Sequence, residues 1–274
     1  MLKAILVAGI ALILVGGLFY GAAYAMGESR MDERVGEFHD SIDQLENIEN
    51  IKIDVDVAKV NINRISGNEI VIDAQNIIVE DFEWTETYGN KTLAISYKPR
   101  GRWFGFDFIN IPGLTRNRNP VINISIPEHM IFTNFDINGG VGEYTIEYVN
   151  TDSFRLNGGV GRVTVQESRI DKLRIDAGVG AVNVTGDIGE MNINAGVGAI
   201  NVRGSAARDI SIDGGVGSIN IDVAGDINNY DVRVDAGVGA IRINGERGNS
   251  MRNADAPYRL TASGGVGSIT VNMR

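Results

Sequence analysis

The chain has 274 residues, no cysteine and a formal net charge of −10. Lack of cysteine excludes disulfides, thiol catalysis, cysteine zinc sites and a lipoprotein-type anchoring cysteine. The acidity argues against a nucleic-acid partner, because neutralising phosphates needs a basic surface.

Ala4 to Gly27 runs for 24 residues without a charge. As a helix it would span roughly 36 Å, against about 30 Å of bilayer hydrocarbon. We therefore expect residues 1–27 to be a transmembrane signal-anchor. The protein would be single-pass in the cell membrane, with its C-terminal domain outside the cytoplasm. "AYA" at Ala23 to Ala25 offers a signal-peptidase site as the alternative, and both readings export residues 28–274. Residues 28–50 read as a polar juxtamembrane linker or short helix. Val35, Phe38, Ile42, Leu45 and Ile48 recur at spacings of three and four, a helical period that Gly36 weakens.

Residues 51–274 read as one β domain. Its entry portion, 51–135, is irregular, yet "IKIDVDVAKVNI" (Ile51 to Ile62) is a degraded copy of the repeat that follows. "EIVIDA", "KTLAISY" and "VINISIP" read as strands. Between them "YKPRGRWFGFDF" mixes aromatic rings with three positive charges. It would either plug the first coil or present Arg100, Arg102, Trp103 and Phe104 to glycans or lipid headgroups.

From 136 to 274 the chain repeats. Gly140, Gly159, Gly178, Gly196, Gly215, Gly237 and Gly265 fill one slot at intervals of 19, 19, 18, 19, 22 and 28 residues. A fixed period near 20 signals a solenoid. The unit is apolar-x-apolar-(Asp/Asn)-(Gly/Ala)-Gly-Val-Gly-x-apolar-x-apolar, and Ser263 is the exception at the fourth slot. In Leu173 to Val184, Leu173, Ile175, Ala177 and Val179 share one strand parity, while Val182 and Val184 have the other. A corner near Gly180 would keep both sets inside. The repeated glycines are the structural corner, where backbones approach closely. The Asp/Asn slot could close it by an Asx-turn. One coil cannot bury its own apolar face, so coils must stack. The fold class is all-β: a single-stranded parallel β-solenoid, β-helix-like, with about 19 residues per coil, behind the transmembrane helix.

The last two intervals hold extra chain at Ala224–Asp231 and Gly245–Tyr258. The second insertion offers Arg247, Met251, Arg252 and Tyr258 as a contact surface. Alternatively it is a lid on the last strand, Ile269 to Met273, whose edge would otherwise be unpaired. Bare solenoid ends would also permit self-association.

No catalytic constellation emerges. His39 and His129, the only histidines, are far apart, and each Gly-Val-Gly leads into a strand rather than a phosphate-binding helix. The outward slots after the corner, Thr145, Thr164, Asn183, Asn201, Asn220, Arg242 and Thr270, form a polar ladder. The calcium-binding nonapeptide repeat needs Asp two places after its last glycine; Tyr144, Val163, Val182 and Ile200 stand there. We expect no enzyme, metal or cofactor, the alternative being a solenoid enzyme acting on envelope polysaccharide.

"KTLAISY", "VINISIPEHMIFTNFDINGGVGEYTI" and the recurring Gly-Val-Gly coils together resemble the putative-adhesin β-strand-repeat family of bacterial envelope proteins, and are similar to the head-GIN domain. The resemblance runs from about Ile51 to Met273. It implies an exported, membrane-associated solenoid with no catalytic residues to carry over. Such a module would act in cell-envelope binding, adhesion or architecture, or as an envelope-stress accessory. The partners implied are the membrane, through the N-terminal helix, and a cell-envelope glycan or protein.

Overall fold

A computed structural model describes residues 35–99 and 119–273. The chain divides into two units, Met1–Arg34 and Val35–Arg274, and every described residue belongs to the second. The expected signal-anchor therefore lies outside the described residues, as do Arg100, Arg102, Trp103 and Phe104. No described helix is long and apolar enough to cross a membrane.

The described chain is all-β. Each regular coil is one strand before the Gly-Val-Gly corner and one after it. Equivalent strands of successive coils pair in parallel and in register: Phe135 opposite Phe154, Ile175 opposite Ile193, Ile193 opposite Ile212. The degraded copy is a full member. Asn50–Ile65 pairs with Phe132–Glu147 on both sides of its corner, with Val57 opposite Val141. On its other side Asn50–Ile65 pairs with Thr92–Tyr97 before the corner and Val121–Pro127 after it. Thr92–Tyr97 and Val121–Pro127 thus take the two strand places of one coil.

The coils do not stack in chain order. The last one, Tyr258–Val266 with Ile269–Met273, lies inside the stack. Its first strand pairs with Ile210–Val216 on one side and Tyr230–Val238 on the other. Its second strand pairs with Ile219–Ala224 and Ile241–Ile243. Ile269–Met273 is therefore not the unpaired edge expected from the sequence; the outermost coil is residues 230–243. An electrostatic reason appears in the Asp/Asn column. Chain order would set Asp213 beside Asp235, whereas the observed order puts Ser263 opposite both. Like charges directly opposite on neighbouring strands are destabilising.

Antiparallel chain covers both ends, so the sheet is mixed rather than wholly parallel. At one end Phe82–Thr87 pairs with Thr92–Tyr97, Ile70–Ile78 with Val121–Pro127, and Val35–Ile42 with Ile70–Ile78. At the other, Glu246–Arg247 pairs with Ile241–Ile243 and Ser250–Met251 with Tyr230–Val238. An end coil has no further coil to satisfy its backbone groups, and reversed strands supply the missing partners. The helix expected around Val35–Ile48 is accordingly a strand, Val35–Ile42, followed by a 3-10 turn, Leu45–Asn47. A short helix interrupted by Gly36 is marginal alone; pairing with Ile70–Ile78 supplies a ladder, and Phe38 and Ile42 turn inward together.

The interior is two facing sets of columns. Leu173, Ile175, Ile193 and Ile212 belong to the strands before the corner; Val182, Val184, Val202 and Ile221 belong to those after it. All are at most 2% exposed. Phe132, Phe135 and Phe154 fill the interior nearer the amino-terminal end, with the last two rings stacked at 5.6 Å. Val179 departs from the expected parity and is 48% exposed. Ala177 before it is only partly buried, so the interior has already tapered when the chain reaches the corner.

The edge strand Val35–Ile42 is pinned by two polar contacts. Trp84 donates its Nε1–H to Asp40 at 2.9 Å, and His39 Nδ1 meets Asp73 Oδ1 at 2.5 Å. The hydrogen bond to Asp73, then its charge, raises the His39 pKa above its ordinary value. The fold thus favours protonated His39. Its contribution is fully present below the unfolded imidazole's pKa and is lost as pH rises through the raised, folded value. Amide-exchange protection of Val35–Ile42, relative to Ile70–Ile78, should fall across that window. Asp73→Asn should abolish the dependence; an unchanged pH response in that variant would remove His39 from the account.

Candidate functional site

Three outward features of the coils are open to a partner. The first is the corner. Val160, Val179, Val197, Val216, Val266 and Val238 form one column there, each 47–67% exposed. The corner glycines named from the sequence stand beside it. A Cβ on Gly178 would lie 2.3 Å from the carbonyl oxygen of Gly159, and Gly196 and Gly215 repeat the approach. The backbone bend itself falls two residues later, at Gly180, where φ is +142° and a Cβ would stand 1.6 Å from Gly161 O. Beside the valines runs a shallow groove of about 500 Å³, floored by Gly178, Gly196 and Gly215 and walled by Asp176, Asn194 and Asp213.

The Asp/Asn side chains bond along this column. Asn157 donates to Asn138 at 2.9 Å and Asn194 to Asp176 at 2.7 Å, so these bonds span coils instead of closing Asx-turns. Burial alone would raise the Asp176 pKa, but the bonds from Asn194 and Arg174, and the charge of Arg174, hold it below the ordinary value. Among the described residues no three His, Asp or Glu side chains gather as a metal site.

The second feature is the polar ladder after the corner. Asn220 donates to Asn201 and Asn201 to Asn183, each at 2.9 Å. Thr270 comes next and Arg242 ends the row, because the last coil is inserted. The insertion Gly245–Tyr258 divides its candidate contact residues. Arg252 donates to Asp231 at 2.8 Å, and the Tyr258 ring packs on Tyr230 at 5.7 Å. Arg247 and Met251 remain exposed.

The third feature was not singled out from the sequence. Each coil has a second corner, where the chain passes to the next. In the earlier coils Tyr148 (φ 59°) and Glu167 (φ 49°) take the left-handed conformation there; in the next coils Gly186 and Gly204, in register with Ser168, have φ 153° and 124°. Bulky residues rarely adopt the left-handed conformation. Tyr148 is 41% exposed. Interaction with the Glu167 carboxylate raises the phenol's pKa. Beside them is a recess of about 240 Å³ edged by Arg64, Arg169 and Asp187. The sequence carried no signal for this recess, because its residues fall outside the repeated Gly-Val-Gly unit.

A family model, the N-terminal domain of toast_rack (DUF2154), matches residues 189–244, within the regular coils. The chain is similar to an adhesin-like β-strand family. Solved structures that resemble it include a putative cell adhesion protein from Clostridium sporogenes, at 15% identity and TM-score 0.36, covering 88% of this chain and 100% of that one. Another is a putative adhesin from Bacteroides fragilis, at 15% identity and TM-score 0.42, covering 86% and 96%. A putative lipid binding protein from Parabacteroides distasonis matches at 13% identity and TM-score 0.29, covering 87% and 97%. No curated protein matches the chain.

Proposed function

We propose that the protein is an adhesin-like binding module of the cell envelope. In this reading the apolar segment Ala4–Gly27 anchors it in the membrane, residues 28–274 stand outside the cytoplasm, and the partner is an envelope glycan or protein. One observation carries the reading: the outward faces are continuous rows of equivalent side chains running from coil to coil. Such rows suit recognition of an extended or repeating partner. Several described acidic and basic groups of the outward faces are spent on neighbours, as in Arg174–Asp176, Arg162–Glu143 and Arg155–Asp136. General acid–base chemistry needs a group poised near the operating pH within reach of a substrate. The module therefore binds without turnover. Incubated with its own purified cell envelope, the full-length protein should be retained and should release no reducing sugar. Failure of retention contradicts binding; release of reducing ends would establish the solenoid-enzyme reading instead. Protease added to wall-stripped cells should degrade residues 28–274, and protection would contradict the topology.

A further inference from the structure

The recess at the second corner combines three features found together nowhere else among the described outward rows. First, Arg169 is exposed and its guanidinium has no partner among the described residues. Its neighbour in register, Asp187, is occupied by the Ser205 hydroxyl at 2.7 Å. Arg64, across the recess, donates to the backbone carbonyl of Glu128 and meets no carboxylate there. Two guanidinium groups thus edge one hollow on a chain of net charge −10. A planar guanidinium matches a carboxylate through paired N–H donors.

Second, Tyr148 presents a half-exposed aromatic ring at the edge of the recess, with Glu167 lining it too. An exposed ring is a platform for the apolar face of a sugar. Glu167 is a hydrogen-bond acceptor beside it, as hydroxyl groups require. Third, Tyr148 and Glu167 both hold a left-handed backbone conformation, φ 59° and 49°, and both line the hollow. Ser168, the buried polar residue beneath, is satisfied by Val149 N–H at 3.1 Å and Gln166 O at 3.0 Å.

The hollow, about 240 Å³, lies below the roughly 300–1,000 Å³ typical of drug-sized ligands. It suits one sugar ring. We propose that this recess binds a single acidic sugar unit of an envelope polysaccharide, with Arg169 and Arg64 taking the carboxylate, Tyr148 under the ring and Glu167 accepting from ring hydroxyls. The proposal rests on the envelope-binding reading above and names the site and ligand class for it.

Saturation-transfer NMR on the full-length protein tests it with three probes: methyl glucuronoside, methyl glucoside and acetate. Transfer to the glucuronoside should exceed that to either other probe at least several-fold. Arg169→Gln and Tyr148→Gly should each reduce it about tenfold. Tyr148→Gly is a suitable probe because glycine relieves the positive φ, so its melting temperature should equal or exceed that of the wild type. Equal transfer to the glucoside, no transfer to the glucuronoside, or wild-type transfer in both variants would each overturn the proposal. Retention on the cell envelope, measured on the same variants, separates the two readings. If wild type and both variants are retained equally and the recess binds no glucuronoside, the recess proposal fails while the binding module stands. If wild type is not retained, the module reading fails first.

Discussion

Gly180→Val should abolish the cooperative fold of the solenoid. Gly180 has φ +142°, a region closed to β-branched residues, and its Cβ would stand 1.6 Å from Gly161 O. Relaxation is blocked on both sides. Gly161 is itself packed on Gly142 O, and Gly198 on Gly180 O, at 1.5 and 1.8 Å by the same measure. Moving one corner drives it into the next. The combined penalty falls in the exceptional class above about 4 kcal/mol. Gly178→Val has no positive φ to oppose it but still meets Gly159 O at 2.3 Å, so it should be severe and less so than Gly180→Val. Asn183→Thr is the control. It sits in a row that already holds Thr164, and should stay within about 0.5 kcal/mol of wild type. Thermal unfolding followed by circular dichroism reads all three. A Gly180→Val protein that melts with the wild type would remove the corner from the account.

Replacing Glu246–Ala256 with a short Gly-Ser link should produce the second-largest effect, and mainly on association. This segment pairs with the outermost coil: Ser250 and Met251 with Arg233 and Val232, Glu246 and Arg247 with Ile243 and Arg242. Val234 N–H also reaches Asn249 O at 2.8 Å. Removal leaves a long, flat edge with unpaired donors, the arrangement that templates strand addition. It also removes Arg252 from Asp231, leaving Arg233 as its remaining arginine partner. Burial works against its ionised form, but Arg252, with Arg233, holds its pKa below the ordinary value. The expected result is a melting temperature several degrees lower and concentration-dependent oligomers by light scattering. A monodisperse variant with an unchanged melt would show that the hairpin does not guard the edge.

Much of the fold was legible because a solenoid repeats its instructions. The period, the alternation of Leu173 and Ile175, the parity change before Val182, and the degraded copy at Ile51–Ile62 all correspond to paired coils. Stack order was hidden, because a local pattern does not say which coil lies beside which. Its one trace was Ser263, the exception in the Asp/Asn slot, which separates Asp213 from Asp235. The entry strand was misread because Val35, Phe38 and Ile42 fit a helical spacing as readily as an edge strand. Only the edge offered by Ile70–Ile78 decides between them. The corner valines were assigned inward by parity, although taper at Ala177 turns them out. The recess was invisible for a different reason. Arg64, Tyr148, Glu167 and Arg169 come from three coils, and no motif joins them.

The most direct test of the architecture uses the absence of native cysteine. Neighbouring strands lie about 4.8 Å apart, within disulfide reach, whereas coils two places apart are not. Asn220 lies opposite Thr270, and Thr270 opposite Arg242. The double variant Asn220→Cys with Thr270→Cys should oxidise to an intramolecular disulfide, seen as a mass loss of about two hydrogens and one cross-linked peptide. Asn220→Cys with Arg242→Cys should remain reduced under the same conditions. Cross-linking of Asn220 to Arg242 in place of Thr270 would mean that the coils follow chain order, and would contradict the inserted final coil.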